Sequence, residues 1–318
     1  MPDAVIDAVD LTKSYGDTLA VDHASFTVKG GEIFGFLGLN GAGKTTTIKM
    51  LTTLIAPTSG SAKVLGYDIS RDGLEIRKRL GVVQQQESYD RNLTVQSSLR
   101  LYSSIWGLKR DEASKRIEWL YEKFQLADTK KKKIRWLSFG QRRRLQVARE
   151  FLHDSSLLIL DEPTVGMDVL ARHIFLDYIK ERAKSGGQTI FYTTHIVSEA
   201  EYLCDRIAVI HKGRIIALDT PKELKKKYAD VKSVSVTLRN SSDLEKVSKL
   251  VEGLGSVQRK DTSSDSELRL VSQDPFRLAS EVSSLLEKEG YDAESISIAE
   301  PSLEQVIVRL VGEQERSI

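Results

Sequence analysis

The chain holds little that would set it apart from an ordinary globular protein. Its 318 residues contain one cysteine, Cys204, which excludes an internal disulfide and suits a reducing compartment. That cysteine stands in an apolar-periodic stretch and reads as core filling rather than chemistry. No apolar run approaches the about 20 residues that span a bilayer. The first residues, Met1-Pro-Asp-Ala-Val-Ile-Asp7, lack the basic start and apolar centre of a secretory leader, so a cytoplasmic protein is expected. Internal repeats and low-complexity tracts are missing too. Strong charge of either sign is also missing. The formal net charge is +2, which gives no argument for nucleic acid, and none is expected as a partner. The small total hides an asymmetry. From residue 231 onward 11 Lys and Arg stand against 16 Asp and Glu, whereas the preceding 230 residues hold 36 against 29. A basic body with an acidic tail piece suggests two domains with different partners.

What is present begins with Gly38-Leu-Asn-Gly-Ala-Gly-Lys44-Thr45-Thr46, which fits the phosphate-binding pattern G-x-x-x-x-G-K-[ST]. Glu32 to Leu37 before it reads as a short buried strand. Thr46 to Leu54 after it reads as a helix with Ile48, Leu51 and Leu54 on one stripe. Strand, glycine loop and helix is the order the mechanism needs. Glycines 38, 41 and 43 let backbone N–H groups close around phosphate oxygens, and the helix N-terminus adds its positive end. The loop Asn40-Gly41-Ala42-Gly43-Lys44-Thr45-Thr46 is therefore expected to cradle a nucleoside triphosphate. Lys44 would reach the β- and γ-phosphates, and the Thr45 hydroxyl would ligate Mg²⁺.

Elsewhere the pattern predicts strands over 5–11, 19–28, 157–160 and 188–193, and helices over 72–81, 94–106, 111–126, 140–153 and 171–184. Residues 207–210 and 214–218 pair across a Lys212-Gly213 turn. Strands alternating with helices indicate a largely parallel sheet with an antiparallel flank. Lys225-Lys-Lys227 marks the boundary between domains at 1–228 and 229–318. Beyond it the order is strand 231–238, helix 243–253, strands 256–260 and 267–271, helix 275–289, strand 292–298 and helix 301–312. That is a ferredoxin-like α+β arrangement, with polar turns at 240–243 and 262–266.

Leu157-Leu-Ile-Leu-Asp161-Glu162 is an apolar strand ending in two carboxylates, 117 positions after Lys44 and followed by Pro163-Thr164. At the carboxyl edge of a parallel sheet such a pair faces the phosphate loop. Asp161 would hold Mg²⁺ through water, and Glu162 would polarise the attacking water. Upstream, Leu137-Ser138-Phe139-Gly140-Gln141 opens an Arg-rich helix. The run LSFGQRRRLQVAREFLHDSSLLILDEPTVGMD, Leu137 to Asp168, resembles the signature and Walker B region of ATP-binding cassette (ABC) ATPases. The family pattern is LSGGQ, and Phe139 departs from it at the third position.

The resemblance covers residues 4–225 and implies an α/β P-loop NTPase with an ABC-type antiparallel β flank and a helical subdomain. By that resemblance Tyr15 stacks on adenine, and Gln85 senses the γ-phosphate and Mg²⁺. His195 hydrogen-bonds the γ-phosphate, and Asp168 belongs to a loop that addresses the opposite subunit. Ser138, Gly140 and Gln141 would cap the ATP of a second cassette. A competent enzyme is then a head-to-tail dimer, with itself or with a similar ATPase, enclosing two ATP. The segment after Gln85 would receive a separate transmembrane permease, with Tyr89, Leu93, Tyr102 and Trp106 as contacts; core packing is the equal alternative for the last two. The subunit would sit on the inner face of the cell membrane. The tail, Pro301 to Gly312, is similar to that of drug-resistance export ATPases, so an exporter is the first expectation. A soluble ABC ATPase acting on a macromolecule is the alternative, although only 93 residues separate Lys44 from Ser138, without the heptads of the chromosome and repair types. Lys130 to Lys133 read as a solvated face.

Overall fold

The computed structural model describes residues 4–86, 88–227, 232–254, 259–264, 267–272, 274–299 and 302–316. Strands β1 (Ala4–Tyr15) and β2 (Thr18–Lys29) form the first hairpin. In β2, Ala24, Phe26 and Val28 point inward while His23, Ser25 and Thr27 face outward, the period-2 pattern of a half-buried strand. With β4 (Ser59–Val64) and β5 (Tyr67–Asp68) they make an antiparallel sheet in the order β2-β1-β4-β5.

The second sheet holds β3 (Ile33–Leu37), β6 (Leu80–Val83), β7 (Leu157–Asp161), β8 (Thr189–Thr194), β9 (Arg206–His211) and β10 (Arg214–Asp219) in the order β10-β9-β3-β8-β7-β6. Every neighbouring pair is parallel except β9 with β10. Strands β3, β7 and β8 are buried along their whole length, which is why they read as unbroken apolar runs. Phe26 of the first sheet meets Phe34, Phe36 and Phe191 of the second, with ring centroids 5.4 to 6.0 Å apart across this cluster. Such pairs contribute about 0.5–1.5 kcal/mol each beyond their buried area. They lock the flank sheet over the strand that feeds the phosphate loop.

Helices α1 (Lys44–Leu51), α2 (Gly73–Arg77), α3 (Val95–Ile105), α4 (Arg110–Lys123), α5 (Phe139–Glu150), α6 (Val169–Gly186) and α7 (Val197–Leu203) complete this part, and α8 (Pro221–Lys227) follows. Ile48, Met50 and Leu51 of α1 enter the aromatic core. Cys204, after α7, is buried with its sulfur pressed on Gly35, where a methyl group would lie 2.8 Å away. Burial pushes its thiol pKa far up.

Two compact units divide between Pro221 and Lys222. The second holds β11 (Lys232–Leu238), α9 (Leu244–Val251), β12 (Arg259–Ser264), β13 (Glu267–Ser272), α10 (Pro275–Glu289), β14 (Ala293–Ala299) and α11 (Leu303–Arg316). Its sheet runs β12-β13-β11-β14 with all neighbours antiparallel, the ferredoxin-like order. Val234, Val236, Leu268 and Leu270 meet Val247, Leu278 and Val282 in its core. Asp274 caps α10, Pro275 sits in its first turn and Gly290 ends it in the left-handed conformation.

The structure departs from the sequence-based expectation at several elements. Residues 72–81 are not one helix: a single turn, α2, gives way to strand β6, whose Leu80 and Val83 face the core. Strands β4 and β5 were not expected, because β4 brings only Ala62 and Val64 inward. The polar stretch 262–264 continues β12, and 256–258 of the expected strand lie outside the described residues.

Trp106 and His153 stack with centroids 3.6 Å apart, and the His153 Nε2–H donates to the Leu80 carbonyl at 3.1 Å. Burial holds the pKa of His153 below its ordinary 6.5, against the Leu80 carbonyl and the Asp154 carboxylate, which favour the proton; Arg116 disfavours it. The unfolded chain therefore binds the extra proton more readily, and stability should rise with pH up to about 6.5 and fall below it. His153→Gln should flatten that slope in melting temperatures measured from about pH 5 to about pH 8. An unchanged slope would assign the pH dependence to other groups.

Candidate functional site: a nucleotide-binding cleft

Strand β3 ends at Leu37 and the chain turns through Gly38 to Gly43 into α1. Gly43 has φ +109°, and a methyl group there would lie 2.5 Å from the Ala20 carbonyl. One on Gly38 would lie 2.5 Å from the Ile210 carbonyl. These glycines are thus demanded by packing against β2 and β9 as well as by any phosphate. Asn40 is exposed, Ala42 is buried with its carbonyl accepting from Gly213 N–H at 3.0 Å, and Thr46 is half-buried in the first turn of α1.

Lys44 is 5% exposed, and its Nζ donates to the carbonyls of Gly38 at 2.7 Å and Leu39 at 3.0 Å. The same ammonium lies 3.0 Å from Glu162 Oε1. Strand β7 delivers Asp161, whose Oδ1 accepts from the Thr193 hydroxyl at 2.7 Å and whose Oδ2 accepts from the Thr45 hydroxyl at 3.0 Å. Burial raises the Asp161 pKa above the ordinary carboxylate value, against the pull of those two hydroxyls. Glu162 follows with φ +47°, an unfavourable backbone for a side-chain-bearing residue. Its N–H donates to the Thr193 carbonyl at 3.2 Å and hydroxyl at 3.1 Å. From the end of β8, His195 Nδ1 comes within 3.2 Å of Glu162 Oε2. Three strand ends therefore bring Lys44, Thr45, Asp161, Glu162 and His195 together.

Gln85, in the segment after β6, lines a cavity of about 100 Å³ with Thr45, Ile48, Lys49 and Asp161. Tyr15 ends β1 half-exposed, with the Lys13 ammonium 5.4 Å from its ring centre. The remaining expected residues serve their own turns in this chain. Ser138 Oγ accepts from Gln141 N–H at 3.2 Å and Gln141 Oε1 accepts from Ser138 N–H at 3.0 Å, closing a capping box on α5. Gly140 stands in the first turn of α5. Asp168 caps α6 by accepting from Ala171 N–H at 2.8 Å, a bond that holds its carboxyl pKa low.

Arg143, Thr193 and Glu199 went unassigned in the sequence. Arg143 is buried on α5 and donates through Nε to Pro163 O at 3.0 Å. Its Nη1 reaches Gln84 O at 2.7 Å and Gln146 Oε1 at 2.9 Å, and its Nη2 reaches Asp161 O at 2.7 Å and Glu162 O at 2.9 Å. Burial lowers its pKa. The available signal was its place on the buried face of α5, in register with Val147 and Glu150 at helical spacing. Glu199, 3% exposed, accepts from the hydroxyls of Thr164, Tyr192 and Thr194 at 2.8 to 3.0 Å, joining the turn after β7 to β8.

A glycine loop with a buried lysine, facing an Asp-Glu strand end on a parallel sheet, defines the P-loop nucleoside triphosphatase class. Similarity to known proteins narrows the class. The family model described as ABC transporter matches residues 21–165. The daunorubicin resistance ATP-binding protein DrrA3 of Streptomyces coeruleorubidus is 34% identical over 319 residues, covering 99% of this chain and 98% of its own. The bacitracin transport ATP-binding protein BcrA of Bacillus licheniformis is 35% identical, covering 97% of each chain. The probable multidrug ABC transporter ATP-binding protein YbhF of Escherichia coli (strain K12) is 41% identical over 239 residues; the match covers 75% of this chain and 41% of YbhF. A solved structure of an ATP-binding subunit of an ABC transporter is 29% identical with a TM-score of 0.65, covering 70% of this chain and 93% of that one. The chain belongs to the ATP-binding proteins of the ABC transporter family.

The five N–H donors of Arg143 leave several buried carbonyls without partners if the side chain is cut back. Arg143→Met should lower the unfolding free energy by about 3 kcal/mol, read from urea denaturation. Arg143→Lys should recover only part, because an ammonium cannot reproduce the planar fork. A loss below about 0.5 kcal/mol for Arg143→Met would show that water replaces the fork at no expense.

Proposed function

We propose that this chain is the ATP-binding and ATP-hydrolysing subunit of a transporter, working as a head-to-tail dimer on a separate transmembrane permease. The observation that carries the reading is the Glu162 carboxylate held between Lys44 and His195 beside the Thr45–Asp161 pair. Lys44 would exchange Glu162 for the β- and γ-phosphates, freeing the carboxylate to orient and polarise the attacking water. His195 would hydrogen-bond the γ-phosphate, and Tyr15 would stack its exposed ring on adenine. The Thr45 hydroxyl and Asp161 carboxylate converge within 3.0 Å, a hard-oxygen pair that fits Mg²⁺, with Gln85 across the cavity as a further ligand. The metal supplies positive charge against the phosphates.

Four exposed apolar side chains, Trp136, Phe139, Val169 and Leu170, flank the Ser138 turn and the Asp168 cap, and support a partner cassette on that face. Ser138, Gly140 and Gln141 would close over the partner's ATP. No helix among the described residues is long and apolar enough to cross a membrane, and a permease would supply the path at the inner face of the membrane. Tyr102 and Trp106 are engaged with Arg149 and His153, whereas Leu101 and Ile105 of the same helix face outward and are the better contacts for that partner. Relatives that span nearly the whole chain are named for drug resistance and bacitracin transport, which favours export. The division between Pro221 and Lys222 supports a nucleotide-binding domain over residues 1–228 and an accessory domain over 229–318.

Glu162→Gln should keep ATP binding and collapse turnover by about 100-fold or more, measured as steady-state phosphate release. Near-normal hydrolysis would remove Glu162 from the role of base. The shared-site arrangement has its own check. Lys44→Ala and Ser138→Arg chains should each be inactive alone, and mixing them should restore activity, because one of the two composite sites then carries neither change. Full activity of either parent alone would sink the sandwich.

A further inference from the structure

Phe139 stands where the family pattern has glycine, and the structure gives its ring a particular seat. The Cδ1–Cε1 edge of the ring lies against Gly166, in the turn between Glu162 and Asp168. A methyl group on Gly166 would lie 2.0 Å from Cε1 and 2.1 Å from Cδ1 of Phe139. Any side chain larger than hydrogen there would have to displace the ring. Gly166 also has φ +78°, so its backbone favours glycine independently. The backbones approach closely at the neighbouring position too, since a methyl group on Gly140 would lie 3.0 Å from the Gly166 carbonyl. The Arg142 guanidinium lies 5.9 Å from the centre of the Phe139 ring while its Nη1 donates to Leu137 O at 2.7 Å. The ring is still 49% exposed.

We propose that Phe139 is a positioning residue that clamps the Ser138 turn to the Gly166–Asp168 turn of the same chain, so that the two segments meet a second cassette as one rigid surface. The two turns belong to separate stretches: one opens α5, the other opens α6, and each has its own cap in Ser138 and Asp168. A glycine at 139 would leave the bare Gly166 surface without its cover, and each turn free to adjust alone. The ring couples them at the point where Ser138 would reach the partner's ATP and the Asp168 loop would meet the opposite subunit. The inference rests on the shared-site reading above and adds a residue to it.

The test is a double-mutant cycle on Phe139→Gly and Gly166→Ala in the full-length chain, with Phe139→Tyr as the conservative control. Nucleotide affinity is read with Mg²⁺ and a non-hydrolysable ATP analogue at chain concentrations too low for dimers. Turnover and ATP-dependent dimerisation are read at high concentration. Phe139→Gly should leave analogue binding by the single chain unchanged and lower both kcat and dimer affinity, by about tenfold. Phe139→Tyr should restore both. Gly166→Ala should be more damaging in the parent, where the new methyl strikes the ring, than in Phe139→Gly, where only the backbone penalty remains. An equal effect of Gly166→Ala in both backgrounds would overturn the contact, and unchanged turnover and dimerisation in Phe139→Gly would overturn the clamp. If turnover per chain is independent of chain concentration in the parent and all variants, the shared-site reading fails, while the cycle still reports on the packing.

Discussion

The buried guanidinium of Arg143 is the interaction on which the geometry of the site depends. Beyond Asp161, which still pairs with Thr193 of β8, the buried backbone of Glu162 and Pro163 and the exposed segment after β6 continue no regular ladder. One planar fork gathers carbonyls from all three places, at Asp161, Glu162, Pro163 and Gln84. The desolvation of the cation is offset because each donor meets an oxygen, and Gln146 adds its amide to the Gln84 and Gln86 carbonyls. Helix α5, which begins at the Ser138 turn, thereby holds the backbone of Glu162 and of the glutamine segment.

Upon that frame the site is built from opposed demands. Asp161 is buried enough to favour its neutral form, while Thr45 and Thr193 stabilise its charge. Glu162 occupies a left-handed backbone that costs on the order of 1–3 kcal/mol, and contacts with Thr193, Lys44 and His195 hold it there. Glu199 gives the adjoining hydroxyls a common acceptor without entering the cluster itself. The outcome is a carboxylate whose direction is set by strand ends rather than by flexible loops.

Much of this was legible beforehand because the site is built on short linear motifs. Lys44 and Thr45 follow a glycine loop, Asp161 and Glu162 close an apolar strand, and each motif carries its own local context. The antiparallel order of the acidic unit also followed from the alternation of its strands and helices. What escaped were features set by distant partners. Strand β6 was hidden inside a helical reading, because its pairing with β7 overrides the local pattern. Arg143 lay unassigned among three consecutive arginines, where only burial separates it from its neighbours. The Phe139 seat is invisible in sequence, since it depends on a glycine 27 positions away.

Cys204 has a practical consequence. The thiol is sealed against Gly35 and held in its protonated form by burial, so reagents that attack thiolates have neither access nor a nucleophile. With no other cysteine in the chain, the folded protein should not react with maleimides. A cysteine introduced at any exposed position becomes the sole reactive handle without prior removal of the native one. Paired spin labels or fluorophores can therefore be attached on either side of the cleft in an otherwise unaltered chain, and unexpected labelling at position 204 would itself report local unfolding around α7.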